Sequence, residues 1–349
     1  MQALNSMLNS TLAQEAFRSW MLPDPDSSFA AHVDKPFMFI TWICLIFFFP
    51  MMGLMVYFVV KYRRREGVAQ QRSPAHHTAI ELTWTIGPLF LLGIMFVWGF
   101  KGYLFFHVAP SDAEQIDLQA MKWNWTMTYD TGTQSAQTIS IADKEVPVFP
   151  VPAGKPVKLT MHSTDVIHSF FVPDFRVKLD VFPNRYTTMW FQPTVEPELQ
   201  ADGSRYSDHL VFCTEYCGDG HSQMGAVIRV MPKADYDAWK NQPPYNPDVD
   251  PPHEIGEILY RVKGCNACHS VDGAANVGPT WQGVFGSART FSNAPSAMAD
   301  ENYIRESILD PAAKLVAGFP NQMVSYQGQL TEQEIDWIIA YIKTLATQD

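Results

Sequence analysis

Basic residues are in short supply: 25 Lys and Arg stand against 36 Asp and Glu in 349 residues, a formal net charge of -11. A nucleic-acid partner is excluded, because phosphate binding needs clustered positive charge; an acidic surface suits a basic protein partner or solubility alone. Cysteine is scarce as well, with five residues, two close pairs and a single Cys44, which argues against a disulfide framework. Charge is missing altogether from Phe37–Val60, 24 residues, and from Leu82–Phe100, 19 residues. At 1.5 Å rise per residue either run crosses a hydrocarbon layer of about 30 Å as a helix, so a wholly soluble chain is excluded. The first residues lack the basic region and early apolar core of a signal peptide, so the first apolar helix is expected to direct insertion itself. Repeats are absent, and with 47% hydrophobic and 13% aromatic residues the chain is not of low complexity.

What is present falls into five segments. Residues 1–35 form an Asn/Ser-rich leader, whose spaced Leu4, Leu8, Leu12, Ala16 and Trp20 suit an amphipathic surface helix or a partly ordered segment. Residues 36–110 form a two-helix transmembrane hairpin, in which Pro50 and Gly53 are tolerable in lipid. The basic cluster between the helices, Lys61, Arg63, Arg64, Arg65 and Arg72, belongs in the cytoplasm by the positive-inside rule, so both ends of the hairpin face outward. From 111 to 232 the period changes to two: Val157, Leu159 and Met161 alternate with Lys158, Thr160 and His162, and Trp123, Trp125 and Met127 alternate likewise. Short strands between Gly, Pro, Asp and Ser predict an all-β antiparallel sandwich or barrel. A stiff Pro-rich tether is expected over 233–253, from the five prolines of NQPPYNPDVDPP. Residues 254–349 are helical again, ending in a Thr331/Glu334 capping box with a Leu330/Ile335 staple ahead of an apolar stripe through Ile338, Ile339, Ile342 and Leu345. Both outer segments are acidic, so no long-range attraction joins them and the tether is expected to keep their encounters local.

Two constellations carry chemistry. In CTEYCGDGHSQM, residues 213–224, two thiols, an imidazole and a thioether share one loop. A Cys213–Cys217 disulfide and a zinc site are alternatives, but Met is a poor zinc ligand. Thiolate, imidazole and thioether together favour copper, and two thiolates can bridge two copper ions. Such a pair needs a second imidazole, best supplied by His168 of STDVIHSFFVPDF, with His162 and His209 open on composition alone. The second constellation is CNACH, residues 265–269, the c-type haem attachment pattern, in which Cys265 and Cys268 form thioethers and His269 faces the iron. Thioredoxin-like CxxC is the competing reading. Cys44 reads as a small apolar residue in lipid or against a neighbouring helix.

The segments DVIHSFFVPDF and CTEYCGDGHSQM resemble the binuclear copper (CuA) motifs of cytochrome c oxidase subunit II, with the Cys-x-Glu-x-Cys-x-x-x-His-x-x-Met spacing complete. The resemblance implies a cupredoxin-like fold and side-chain ligands His168, Cys213, Cys217, His221 and Met224, with Glu215 giving its backbone carbonyl. It also implies that the Glu215 side chain reaches a magnesium site shared with the catalytic subunit. Glu81, in ELTWTIGP, resembles the family's carboxylate near a proton-uptake pathway of the catalytic subunit, and a carboxylate at the end of a membrane helix is costly unless hydrated or functional. KWNWTMTY resembles the aromatic stretch where electrons enter, with Trp123 at that position; Asn124 and Met127 depart from it by replacing aromatics. The order around CNACH resembles a class I cytochrome c, which implies an all-α domain, Met323 as the sixth iron ligand and Pro279 as the orienter of His269, while Met298 lies too early. A Met/His pair raises the haem potential, as suits a late respiratory carrier.

The resemblance therefore implies subunit II of a bacterial haem–copper oxidase with a fused cytochrome c, an electron-transfer subunit of a proton-translocating oxidoreductase. Electrons would pass from a donor, cytochrome c or a quinol-oxidising complex, through haem c to the copper pair. They would go on to catalytic subunit I, with subunit III also in the complex. The bacterial inner membrane is the expected location, with the terminal domains on the periplasmic side. A quinol-oxidase subunit would lack the copper ligands present here. A membrane-anchored electron carrier of another respiratory complex needs neither a hairpin nor Glu81, and a copper-delivery protein needs no haem motif.

Overall fold

The computed structural model describes residues 21–69, 74–141, 144–274 and 276–346. The spaced apolar residues expected on a leader helix, and Arg72 of the basic cluster, lie outside the described residues. Pro110 onward, together with the segment ending at Ser27, makes one compact unit, and Ser28–Ala109 makes a second.

The second unit is a hairpin of two long helices, α1 (Ala30–Lys61) and α2 (Thr78–His107), each long and apolar enough to cross a membrane. Helix α1 begins inside the segment expected as leader, ahead of Asp34, Lys35 and Pro36. The charge-free run marks the hydrocarbon span, but a helix continues into the interface, where charges are hydrated. Phe29 stacks on Phe106 at 4.8 Å and closes that end of the hairpin. At the other end Glu81 Oε1 accepts from the His77 backbone N–H at 2.9 Å, so the carboxylate caps the start of α2.

The first unit contains a β-sandwich. One sheet has the order β2–β1–β5–β8, from β1 (Glu114–Met121), β2 (Asn124–Tyr129), β5 (Val157–Ser163) and β8 (Thr187–Phe191). The facing sheet runs β3–β4–β11–β10–β6–β7, from β3 (Thr138–Ile141), β4 (Lys144–Pro152), β6 (His168–Val172), β7 (Val177–Val181), β10 (Arg205–Cys213) and β11 (Gly225–Met231); the short β9 (Glu198–Leu199) pairs with β10. The sheets are not wholly antiparallel as expected: β1 pairs with β5, and β4 with β11, in parallel. Alternation in sequence fixes which side chains face inward, but strand direction depends on the connections. Leu118, Trp125, Met127, Leu159, Met161, Phe170, Phe191 and Val227 fill the core.

Strand β5 alternates buried and half-buried positions as its sequence predicts, whereas β2 is buried on both faces, with Asn124 and Thr126 as covered as Trp125 and Met127. The extra cover comes from the helical domain: Thr126 Oγ1 donates to Val262 O at 3.5 Å. The expected tether also differs at its start. Lys233–Lys240 forms helix α3, with Tyr236 fully buried and its hydroxyl donating to Glu114 at 3.0 Å, while Lys240 pairs with Glu114. The prolines cluster after this helix, and even there Tyr245 packs its ring against Trp337 at 5.7 Å, so the expected tether is partly packed on the helical domain.

The helical domain packs α4 (Pro252–Val262) across α6 (Glu332–Thr344), with α5 (Glu301–Leu309) beside them. Thr331 and Glu334 make the predicted capping box, and Ile335, Ile338, Ile339 and Ile342 are buried. Gly256 allows the close crossing: a Cβ there would stand 2.0 Å from Trp337 O. Gly256→Ala should therefore destabilise this domain by about 1–3 kcal/mol or more, as overpacking against backbone does. Thermal unfolding followed by circular dichroism checks this, and an unchanged midpoint would contradict it.

Candidate metal centre and haem cleft

The copper-type residues converge because two strand pairings bring them together. Cys213 ends β10 and lies opposite Phe170 of β6, two residues after His168. Phe212 pairs with Gly225 of β11, so residues 213–224 form a loop closed at its base. Cys213 and Cys217 Sγ are 3.8 Å apart, far beyond the roughly 2.05 Å of a disulfide. Each sulfur has an imidazole nitrogen and one weaker donor beside it. His168 Nδ1 lies 4.0 Å and Glu215 O 3.3 Å from Cys213 Sγ; His221 Nδ1 lies 3.5 Å and Met224 Sδ 3.8 Å from Cys217 Sγ. All six residues of the sequence expectation are thus neighbours. His209 is elsewhere, 3.1 Å from Asp174 and 3.5 Å from Asp26, and His162 is half-buried against Tyr186.

A residue outside the sequence expectation orients this cluster. His168 Nε2 donates to Asp165 Oδ1 at 2.8 Å, and a carboxylate can only accept, so Nδ1 is left bare toward the thiols. Asp165 also accepts from the backbone N–H of Val166 at 2.6 Å and of Lys122 at 2.7 Å. Burial raises the Asp165 carboxyl, but these bonds outweigh it and hold it below the usual range. Burial lowers His168, and the bonds to Asp165 and Cys213 more than reverse that. The hydrogen bond from Cys217 holds the Cys213 thiol low, and the same bond, with burial, pushes Cys217 up. The signal for Asp165 was a carboxylate three residues before a ligating histidine. The unbridged thiols, paired imidazoles and thioether fit copper rather than zinc.

Trp123, the residue expected at electron entry, is 5% exposed. Its indole is covered by the copper-type loop: a Cβ on Gly220 would stand 2.5 Å from the ring, and one on Gly218 3.2 Å. Trp123, Gly220 and Ala267 of CNACH line one small cavity, and the indole Nε1 has no hydrogen-bond partner. Glu215 has an exposed side chain.

Cys265, Cys268 and His269 of CNACH line a deep, mostly apolar cleft that also holds Pro279, Trp281 and Met323. His269 Nδ1 donates to Pro279 O at 2.8 Å, leaving Nε2 free for a metal, and burial lowers its pKa so that the ring is neutral. Gly278 is required beside it, since a Cβ there would stand 2.8 Å from the imidazole. Burial pushes Cys265 up to about 12 and Cys268 up to about 11, opposite to the lowered thiol of a redox-active CxxC. Arg289 also lines the cleft, with its buried Nε lacking a partner, as an anionic group seated there would supply. Two thiols, a bare imidazole and a thioether around an apolar slot fit a c-type haem. Met298 is exposed and lies outside the cleft lining.

Comparisons with known proteins agree in order along the chain. The family described as cytochrome C oxidase subunit II, transmembrane domain, matches residues 18–101, and its periplasmic domain matches 112–231. Cytochrome c matches residues 254–346. Cytochrome c oxidase subunit 2 of Alkalihalophilus pseudofirmus is 28% identical, covering 84% of this chain and 82% of the relative. The corresponding protein of Bacillus sp. (strain PS3) is 26% identical, covering 82% and 80%. Among solved structures, the periplasmic domain of subunit II of cytochrome oxidase from Bradyrhizobium japonicum is 25% identical, with a TM-score of 0.33, covering 38% of this chain and 94% of that one.

Proposed function

The chain belongs to the cytochrome c oxidase subunit II family, with a cytochrome c domain at its C-terminal end, and from that premise we propose that residues 213–224 with His168 hold a binuclear copper centre fed by the chain's own haem. It is a membrane protein, an electron-transfer subunit that works with the catalytic subunits of a haem–copper oxidoreductase and carries copper and haem c. When bound, these groups supply one-electron exchange, taking electrons from a donor by way of haem c to copper and on to the catalytic subunit that reduces oxygen to water. The observation that carries the binuclear reading is the unbridged 3.8 Å pair of thiols, each with its own imidazole and weaker donor.

This chain's residues hold and orient. Cys213, Cys217, His168, His221, Met224 and the Glu215 carbonyl are the copper donors, with Asp165 fixing the His168 tautomer. Cys265 and Cys268 would anchor the haem, and His269, oriented by Pro279 O, and Met323 are the residues that would ligate its iron. The exposed Glu215 carboxylate is available to a magnesium ion shared with subunit I, and Glu81 to proton uptake there. The donor is a cytochrome c or a bound quinol-oxidising complex, and subunit III completes the assembly.

Metal and haem analysis of the purified outer part should give two coppers and one covalent haem; one copper, or zinc, would contradict the binuclear reading. The location this reading requires is a bacterial inner membrane with the outer domains periplasmic, supported by the two apolar helices and the basic segment between them. Protease added outside sealed cells should then spare Lys61–Arg65 and cut within 243–252, and the reverse pattern would contradict that topology.

A further inference from the structure

We propose that the haem domain is a fixed rather than a tethered donor, clamped to the copper domain by Gln322 on Asp219 and by Gly264 on Asn124, an inference that rests on the electron-transfer reading above. Gln322 immediately precedes Met323, and Asp219 lies between Cys217 and His221. Gln322 Nε2 donates to Asp219 Oδ2 at 3.0 Å, so one hydrogen bond joins the loop of the proposed sixth iron ligand to the loop of the copper ligands. Gly264 immediately precedes Cys265, and a Cβ on it would stand 2.4 Å from Asn124 Nδ2. An aromatic ring at 124 would have no room beneath it; the departure from the aromatic stretch is what this contact requires. Between the two clamps Trp123 is enclosed, with Gly220 on its ring and Ala267 beside the same cavity.

The surrounding contacts are neutral or singly charged. Tyr326 Oη lies 3.6 Å from Met121 Sδ, Gln119 Nε2 donates to Gln329 at 2.7 Å, and Lys144 donates to Asn276 at 3.1 Å. No ion pair bridges the two domains among the described residues, so the contact rests on hydrogen bonds and packing. Gln322 and Asn124 act as positioning residues: they set the distance and register for a transfer that moves one electron and no proton.

The test uses the purified holo complex: photoreduce haem c and follow the copper near-infrared band. The fixed pose predicts first-order transfer at a rate unchanged by glycerol or salt. Gln322→Glu sets a carboxylate against Asp219; it should slow transfer at least about tenfold, introduce a viscosity dependence, and speed hydrogen exchange in the peptide holding Trp123 and Asn124. Gln322→Glu with Asp219→Asn should recover the rate, exchange and viscosity independence, which a change confined to the haem ligand would not allow. A wild-type rate that falls with viscosity, or a Gln322→Glu variant matching wild type, overturns the clamp. Absence of haem-to-copper transfer in wild type overturns instead the electron-transfer reading on which it rests.

Discussion

If the proposed binuclear centre is right, Cys217→Ser is expected to remove it and nearly all turnover with the native donor, while the haem stays attached. Cys217 Sγ sits between Cys213, His221 and Met224, at 3.8, 3.5 and 3.8 Å, so it is the atom shared by most of the cluster. A serine hydroxyl does not ionise near neutral pH and is a hard donor, whereas the site otherwise offers soft ligands. Loss of residues that merely orient metal ligands typically costs 10–100-fold, and loss of a residue proposed as a direct ligand should exceed roughly a hundredfold. The haem-attachment cysteines lie in a separate cleft, so the haem spectrum should persist. Copper content and the near-infrared band check the result; a variant that retains two coppers and wild-type turnover would contradict it.

Met323→Ala should have the second-largest effect, and its sign can be worked out. As the proposed sixth ligand the thioether would favour the reduced iron, so its loss would lower the haem potential. Donor-to-haem transfer then becomes uphill, while haem-to-copper transfer becomes more downhill. A fall of about 0.12 V is a small part of the roughly 0.8 V that axial ligands span. For one electron it shifts each equilibrium about a hundredfold. Turnover with the native donor should drop by about that order, and turnover with a small reductant of copper much less. Redox titration with both assays checks the expectation; equal slowing with both donors would contradict it.

The layout of the chain was readable because its signals are local. Charge-free runs mark α1 and α2, period two marks β5, and the Thr331/Glu334 spacing marks the start of α6. The metal motifs were legible for the same reason, since five of the six copper-type residues fall in one loop closed by the Phe212–Gly225 pairing. What escaped depends on distant packing. Parallel pairing of β1 with β5 is set by chain crossings, which alternation does not encode. Burial of Asn124 and Thr126 comes from a domain more than a hundred residues away, and net charge hid that contact because most of its members are amides, hydroxyls and apolar groups, while Asp219 and Lys144 each meet a neutral amide. Helix α3 was masked by the prolines that follow it, although its buried Tyr236 packs on the sandwich through Glu114.

The order in which the centres fill tests the central claim most directly. Mixing the oxidised complex with its native donor in a stopped-flow instrument, and following the haem c and copper bands together, should show haem c reduced first and copper only through it. Copper reduced ahead of haem c, with Trp123 enclosed as it is, would contradict the account.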